Sequence, residues 1–97
     1  MKFFHYIPPS KKGGVTIAHE LLEHDQGKTL LISIAQASDK DNYCRRTGRD
    51  IALDNYINGR TFRIVVKGSK KSIQRRIEQQ LWNFAYSIYR MQSNHVN

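Results

Sequence analysis

Val15-Thr16-Ile17-Ala18-His19-Glu20-Leu21-Leu22 and Thr29-Leu30-Leu31-Ile32-Ser33-Ile34-Ala35-Gln36-Ala37, joined through Asp25-Gln26-Gly27, decide the fold. The first stretch alternates: Val15, Ile17, His19 and Leu21 share one face, and Thr16, Ala18, Glu20 and Leu22 the other. The second points Leu30, Ile32 and Ile34 one way. Period-two patterning of this kind belongs to half-buried strands. Asp-Gln-Gly supplies turn chemistry, because glycine adopts positive φ without steric cost. The two stretches therefore read as an antiparallel hairpin.

Working outward, residues 3–7 read as a short strand ended by Pro8 and Pro9, neither of which can donate to a ladder. The alternative, with no first strand, stays open. Residues 10–14 (SKKGG) read as a flexible loop. On the other side, Ser38 or Asp39 is expected to cap a helix running to about Ile57, terminated by Asn58-Gly59. Inside it Cys44, Gly48 and Ala52 recur every fourth residue, a strip of small side chains flanked by Tyr43, Ile51 and Tyr56. Gly48 costs roughly 1 kcal/mol relative to alanine in a helix interior, which a close backbone approach could offset. Residues 60–67 alternate again, with Phe62, Ile64 and Val66 towards a core and Arg63, Val65 and Lys67 away from it. Gly68 breaks that strand, and Ser69 or Ser72 starts a last helix. Ile73, Ile77, Leu81, Phe84, Ala85 and Ile88 form its apolar stripe. The expected fold is α+β: a small antiparallel sheet of three to four strands with two helices on one face, in the order (β)-β-β-α-β-α. A chain of 97 residues makes one domain, 1–97, with residues 93–97 as a frayed tail.

Charge is the main functional signal. The chain has 16 lysines and arginines against 8 acids, a net charge of +8. Residues 39–97 carry twelve of the basic residues and five of the acids, and eleven of the sixteen fall between Lys40 and Arg76. A basic field on ordered elements favours a polyanionic partner and salt-sensitive binding. Cys44 is alone, so no internal disulfide forms, and a reducing cytoplasmic setting is expected. We read no secretory leader and no run near the roughly 18 apolar residues of a membrane span. No cofactor and no small-molecule substrate is expected.

Four features resemble catalytic chemistry without its spacing. His19 and His24 are five apart, whereas a helical zinc motif needs four. Asp39, Asp41, Asp50 and Asp54 suggest a metal-dependent nuclease. However, Arg46 precedes Asp50 by four residues and an ion pair is simpler, and Asp39 and Asp41 suit a first helical turn. Cys44 sits beside Arg45 and Arg46 but reads as a buried structural cysteine on the small-residue strip. Lys11-Lys12-Gly13-Gly14 lacks the P-loop pattern. The expectation is a protein that is not an enzyme.

The constellation with more weight is Gly68-Ser69-Lys70-Lys71, between a strand and a helix. Helix N-termini expose N–H groups and partial positive charge, and Ser69, Lys70, Lys71, Arg75 and Arg76 add donors around them. This tract, residues 67–76, resembles the phosphate-contacting end of double-stranded RNA-binding domains, although the element order here departs from that family's α-β-β-β-α. Lys40, Arg45, Arg46 and Arg49 form a second cluster, and Arg63 and Lys67 project from the intervening strand. If these surfaces adjoin, they form a continuous phosphate track. Tyr6, Tyr43, Tyr86, Tyr89 and Trp82 are candidates to stack on bases, with core packing as the competing role. Trp82, at the margin of the helix stripe, could instead anchor an interface.

A wider resemblance lies in Ser38-Asp39-Lys40-Asp41-Asn42-Tyr43-Cys44-Arg45-Arg46-Thr47-Gly48-Arg49-Asp50-Ile51-Ala52. This SxKDNxxxxxGRxIA string, preceded by Gly13-Gly14-Val15-Thr16, is similar to a motif in small accessory proteins of tailed bacteriophages. It spans about residues 13–60. The resemblance implies a phage protein acting in the bacterial cytoplasm, in host takeover or anti-defence. Two functions compete: binding nucleic acid through phosphates, with RNA slightly favoured, or inhibiting a host protein whose acidic or nucleic-acid-binding surface the basic face covers.

Overall fold

The computed structural model describes residues 1–25, 27–66 and 70–94, with backbone alone at 70–74 and 92–94. The elements are β1 (Lys2–Tyr6), β2 (Lys12–His24), β3 (Gly27–Asn42), α1 (Arg45–Ile57), β4 (Phe62–Val66) and α2 (Lys70–Asn94). The strands form one antiparallel sheet in the order β1-β2-β3-β4. The first strand is present, so the order is β-β-β-α-β-α. Ser93 and Asn94 belong to α2, and the rest of the expected tail lies outside the described residues.

The β2–β3 hairpin is the spine. Thirteen residues of β2 span about 43 Å at roughly 3.3 Å each, close to the molecule's 44 Å long dimension. The outer strands cover different halves of it. β1 pairs with the first half of β2, from Tyr6↔Val15 to Lys2↔His19, and β4 pairs with the turn-proximal half of β3, from Lys28↔Val66 to Ile32↔Phe62.

Strand alternation sends successive side chains to opposite faces, and each face receives one helix. Val15, Ile17, Leu30, Ile32 and Val66 meet Ile77, Leu81 and Ala85 of α2. Ala18 and Ala35 meet Ala52 of α1. The helices therefore sandwich the sheet and do not share a face as expected. The second face was legible only as less apolar. Its small residues, including fully buried Thr16 and Ser33, let a helix lie close instead of facing water.

Two boundaries also differ. Ser38 and Asp39 do not cap a helix. β3 continues to Asn42 because Lys12 pairs with Asn42 across an irregularity beside Gly13 and Gly14, and the Tyr43 N–H donates to the Lys11 carbonyl at 2.9 Å. The expected loop at 10–14 thus largely joins the sheet. Phe62, expected in the core, is 57% exposed, because α2 packs over β1, β2 and β3 and leaves the start of β4 uncovered.

Candidate nucleic-acid interface

Gly13-Gly14-Val15-Thr16 and the stretch 38–52 meet at one end of the sheet. Gly14 adopts φ 137°, and a Cβ there would collide with the Tyr43 ring and lie 2.8 Å from the Tyr6 carbonyl oxygen. A Cβ on Gly48 would collide with Thr16 Oγ1. These absences of side chain let α1 and Tyr43 seat against β2. Tyr43 Oη then lies 2.5 Å from His5 Nδ1 and 2.6 Å from Thr16 Oγ1. Further along, the buried Ser33 hydroxyl donates to the Ala52 carbonyl at 2.6 Å, and Tyr56 donates to Glu20 at 2.5 Å.

This close seating fixes where the first basic cluster stands. Arg45, Arg46 and Arg49 are exposed on the first turns of α1, and Lys40 is exposed near the end of β3. The helix carries no acid in its first turn. The positive end of its dipole therefore adds to the potential of the arginines without an acid to offset it. Salt bridges among the described residues join Lys28 to Glu23 at 3.3 Å and Arg60 to Asp54 at 3.5 Å, and none involves these arginines. The expected Arg46–Asp50 pair is not formed, and Asp39 and Asp41 lie in β3, away from any helical first turn. Two exposed lysines, Lys11 and Lys12, join this corner through the pairing of β2 with Asn42 and Tyr43. Their contribution was missed, since only long-range strand pairing brings them beside α1.

The field is felt at His5, whose pKa is lowered by burial first and then by Arg45 and Arg49. Tyr43 is raised by burial, against the opposing hydrogen bond from Thr16 and the charge of Arg45. Cys44, expected to be buried, is exposed at the N-cap position, because the strip of small residues begins at Gly48. Hydrogen bonding from the Thr47 side chain and amide, with help from Arg46, holds its thiol below the usual range.

The second basic region is elsewhere. Arg75 and Arg76 are exposed on α2. Of the other expected residues, Lys67 and Ser69 lie outside the described residues, as do the side chains of Lys70 and Lys71. α2 begins near the turn of the hairpin, where Ile77 lines a cavity with Leu21, Lys28 and Leu30, and ends near Gly13, where Tyr89 packs. α1 runs the other way on the opposite face, from Thr16 near Gly48 to Glu20 near Tyr56. The cluster at Arg45, Arg46 and Arg49 and the described members of the second cluster, Arg75 and Arg76, therefore occupy opposite faces and opposite ends, and these five arginines do not adjoin. Arg63 pairs in register with Leu31, which places it on the α1 face.

Trp82 is 46% exposed. Its ring stacks on Tyr86 with centroids 5.2 Å apart and meets the Tyr6 ring edge-on at 6.1 Å. The Arg90 guanidinium lies 5.9 Å from the Tyr86 ring centre. His19 and His24 sit on β2 five residues apart and so point to opposite faces. No group of three potential metal ligands occurs among the described residues, and no helix among them is long and apolar enough to cross a membrane. Comparison with protein-family models, curated proteins and solved structures finds no match to this chain.

Proposed function

We propose that this chain binds nucleic acid through phosphate contacts with little reading of base sequence. The supporting observation is the corner at the start of α1: three exposed arginines on its first turns, with no carboxylate partner among the described residues. Phosphate contacts position a nucleic acid without specifying its sequence. The slight preference for RNA rests on the sequence of residues 67–76, and a role in blocking a host nuclease or defence enzyme rests on the resemblance to tailed-phage accessory proteins. The test is fluorescence anisotropy of a labelled 20-nucleotide single-stranded RNA over a salt series. Affinity should fall steeply with salt, and Arg45→Gln with Arg49→Gln should flatten the log–log slope by about 1.5. Binding indifferent to salt and to both substitutions overturns the reading.

One observation favours a second reading, a protein-directed inhibitor. β4 is an edge strand, and Phe62 and Val65 on it are 57% and 67% exposed. An open edge with apolar side chains suits strand addition by a protein partner. Capture of one bacterial protein that survives nuclease treatment, together with no binding of free RNA, would replace the first reading with this one.

A further inference from the structure

The side of α2 next to β1 carries an ordered series: Arg75, Gln79, Trp82, Tyr86 and Arg90, at spacings of four, three, four and four, which keep one stripe of a helix. The stripe borders the core without belonging to it. On the C-terminal side of Trp82 the indole is covered by Tyr86, stacked at 11° between planes, and Arg90 stands beyond. On its N-terminal side lies an open trough of about 470 Å³ lined by Phe4, Arg75, Glu78, Gln79 and Trp82. Tyr6 meets both Trp82 and Tyr86 edge-on and holds the pair in place from the sheet.

We infer that this trough takes one unpaired nucleobase of a single strand, stacked on Trp82. A flat ring there extends the Trp82–Tyr86 stack by one member. Arg75 and Arg90 stand at the two ends of the stripe, where the strand's phosphates pass. Glu78 and Gln79 offer an acceptor carboxylate and an amide to the edge of the base. A base inside a duplex already has both faces covered and does not enter, so the surface selects single strands. The inference rests on the nucleic-acid reading above and adds a surface on the opposite face from Arg45 and Arg49.

Trp82 is the chain's one tryptophan, so its emission reports this site alone. The experiment titrates the protein with a 12-nucleotide oligouridylate and with a 12-base-pair RNA duplex at low salt, recording anisotropy of the labelled RNA and tryptophan emission together. Stacking should quench Trp82 by more than about half with the single strand and by little with the duplex. Trp82→Ala should weaken single-strand binding about tenfold, in line with the stacking of one base, and Arg75→Gln should weaken it less. Anisotropy that rises while emission stays constant overturns the base site and leaves the phosphate reading standing. Equal quenching by duplex and single strand also overturns it. Absence of binding by either RNA overturns both. The emission measurement uses the unaltered protein, so a poorly folded variant does not obscure the result.

Discussion

The two faces of the sheet are held by different means. Under α2 the packing is large and apolar: Ile17, Leu30 and Ile32 against Ile77 and Leu81, stabilised by area removed from water. Under α1 it is small and polar: Gly48 on Thr16, Ala52 beside Ala18 and Ala35, and hydroxyls bonded across the gap at Ser33 and Tyr43. An apolar face tolerates changes of shape that keep volume, whereas a close backbone approach does not, because no side chain is available to rearrange. The α1 face also holds the arginines of the candidate phosphate site, so its rigidity sets where they stand.

The sharpest way to break this contrast is Gly48→Ala. The new Cβ meets Thr16 Oγ1, the atom that is hydrogen-bonded to Tyr43. Overpacking and the lost hydrogen bond together should cost about 3 to 4 kcal/mol in urea unfolding. Thr16→Ala in the same chain should recover part of this, since neighbouring sites are not additive. A cost below about 1 kcal/mol would mean that α1 is not closely seated. On the other face, Leu81→Ala should cost about 3 kcal/mol, while Leu81→Met should cost less than about 1.5. Equal losses from the two Leu81 substitutions would erase the distinction between the faces.

The legibility of the sequence divides along the same line. The hairpin, β4 and the stripe of α2 follow period two and period 3.6, and these patterns are local. The strip Gly48–Ala52 signalled close approach, although not to which surface. What the sequence did not show depends on distant partners. The Lys12–Asn42 pairing keeps residues 38–42 extended despite their good helix-capping chemistry. The placement of α1 and α2 on opposite faces separates charges that are near in sequence. Cys44 belongs to the strip by its spacing, but the helix starts one residue after it and leaves it exposed. Lys11 and Lys12 lack the phosphate-loop pattern in sequence and join the basic corner only through the fold.

A smaller effect is expected from Ser33→Ala. The hydroxyl is fully buried and donates to Ala52, so its loss should cost about 1 kcal/mol. Tyr56 on the same face gives a pH handle. Its hydrogen bond to Glu20 raises the pKa to about 12 from an ordinary 10.0. A group raised in this way stabilises fully below 10, and its contribution fades as pH climbs towards 12. Tyr56→Phe should remove that alkaline dependence from the unfolding free energy.

The subtlest probe sets two histidines against each other, one per face. His5 points to the α1 face with Thr16, and His19 to the α2 face with Ile17. Burial lowers both pKa values, with Arg45 and Arg49 adding to the shift at His5 and Lys2 at His19. A histidine lowered in the folded state stabilises above its unfolded value of 6.5 and loses that contribution as pH falls through the folded value, so mild acid should weaken the fold through both. The two separate when RNA is added. Phosphates on Arg45 and Arg49 cancel the positive field at His5, so its imidazole should take up a proton at higher pH in an NMR titration, while His19 shifts less. If His19 moves and His5 does not, the phosphates lie on the α2 face, and the corner at the start of α1 is not where nucleic acid binds.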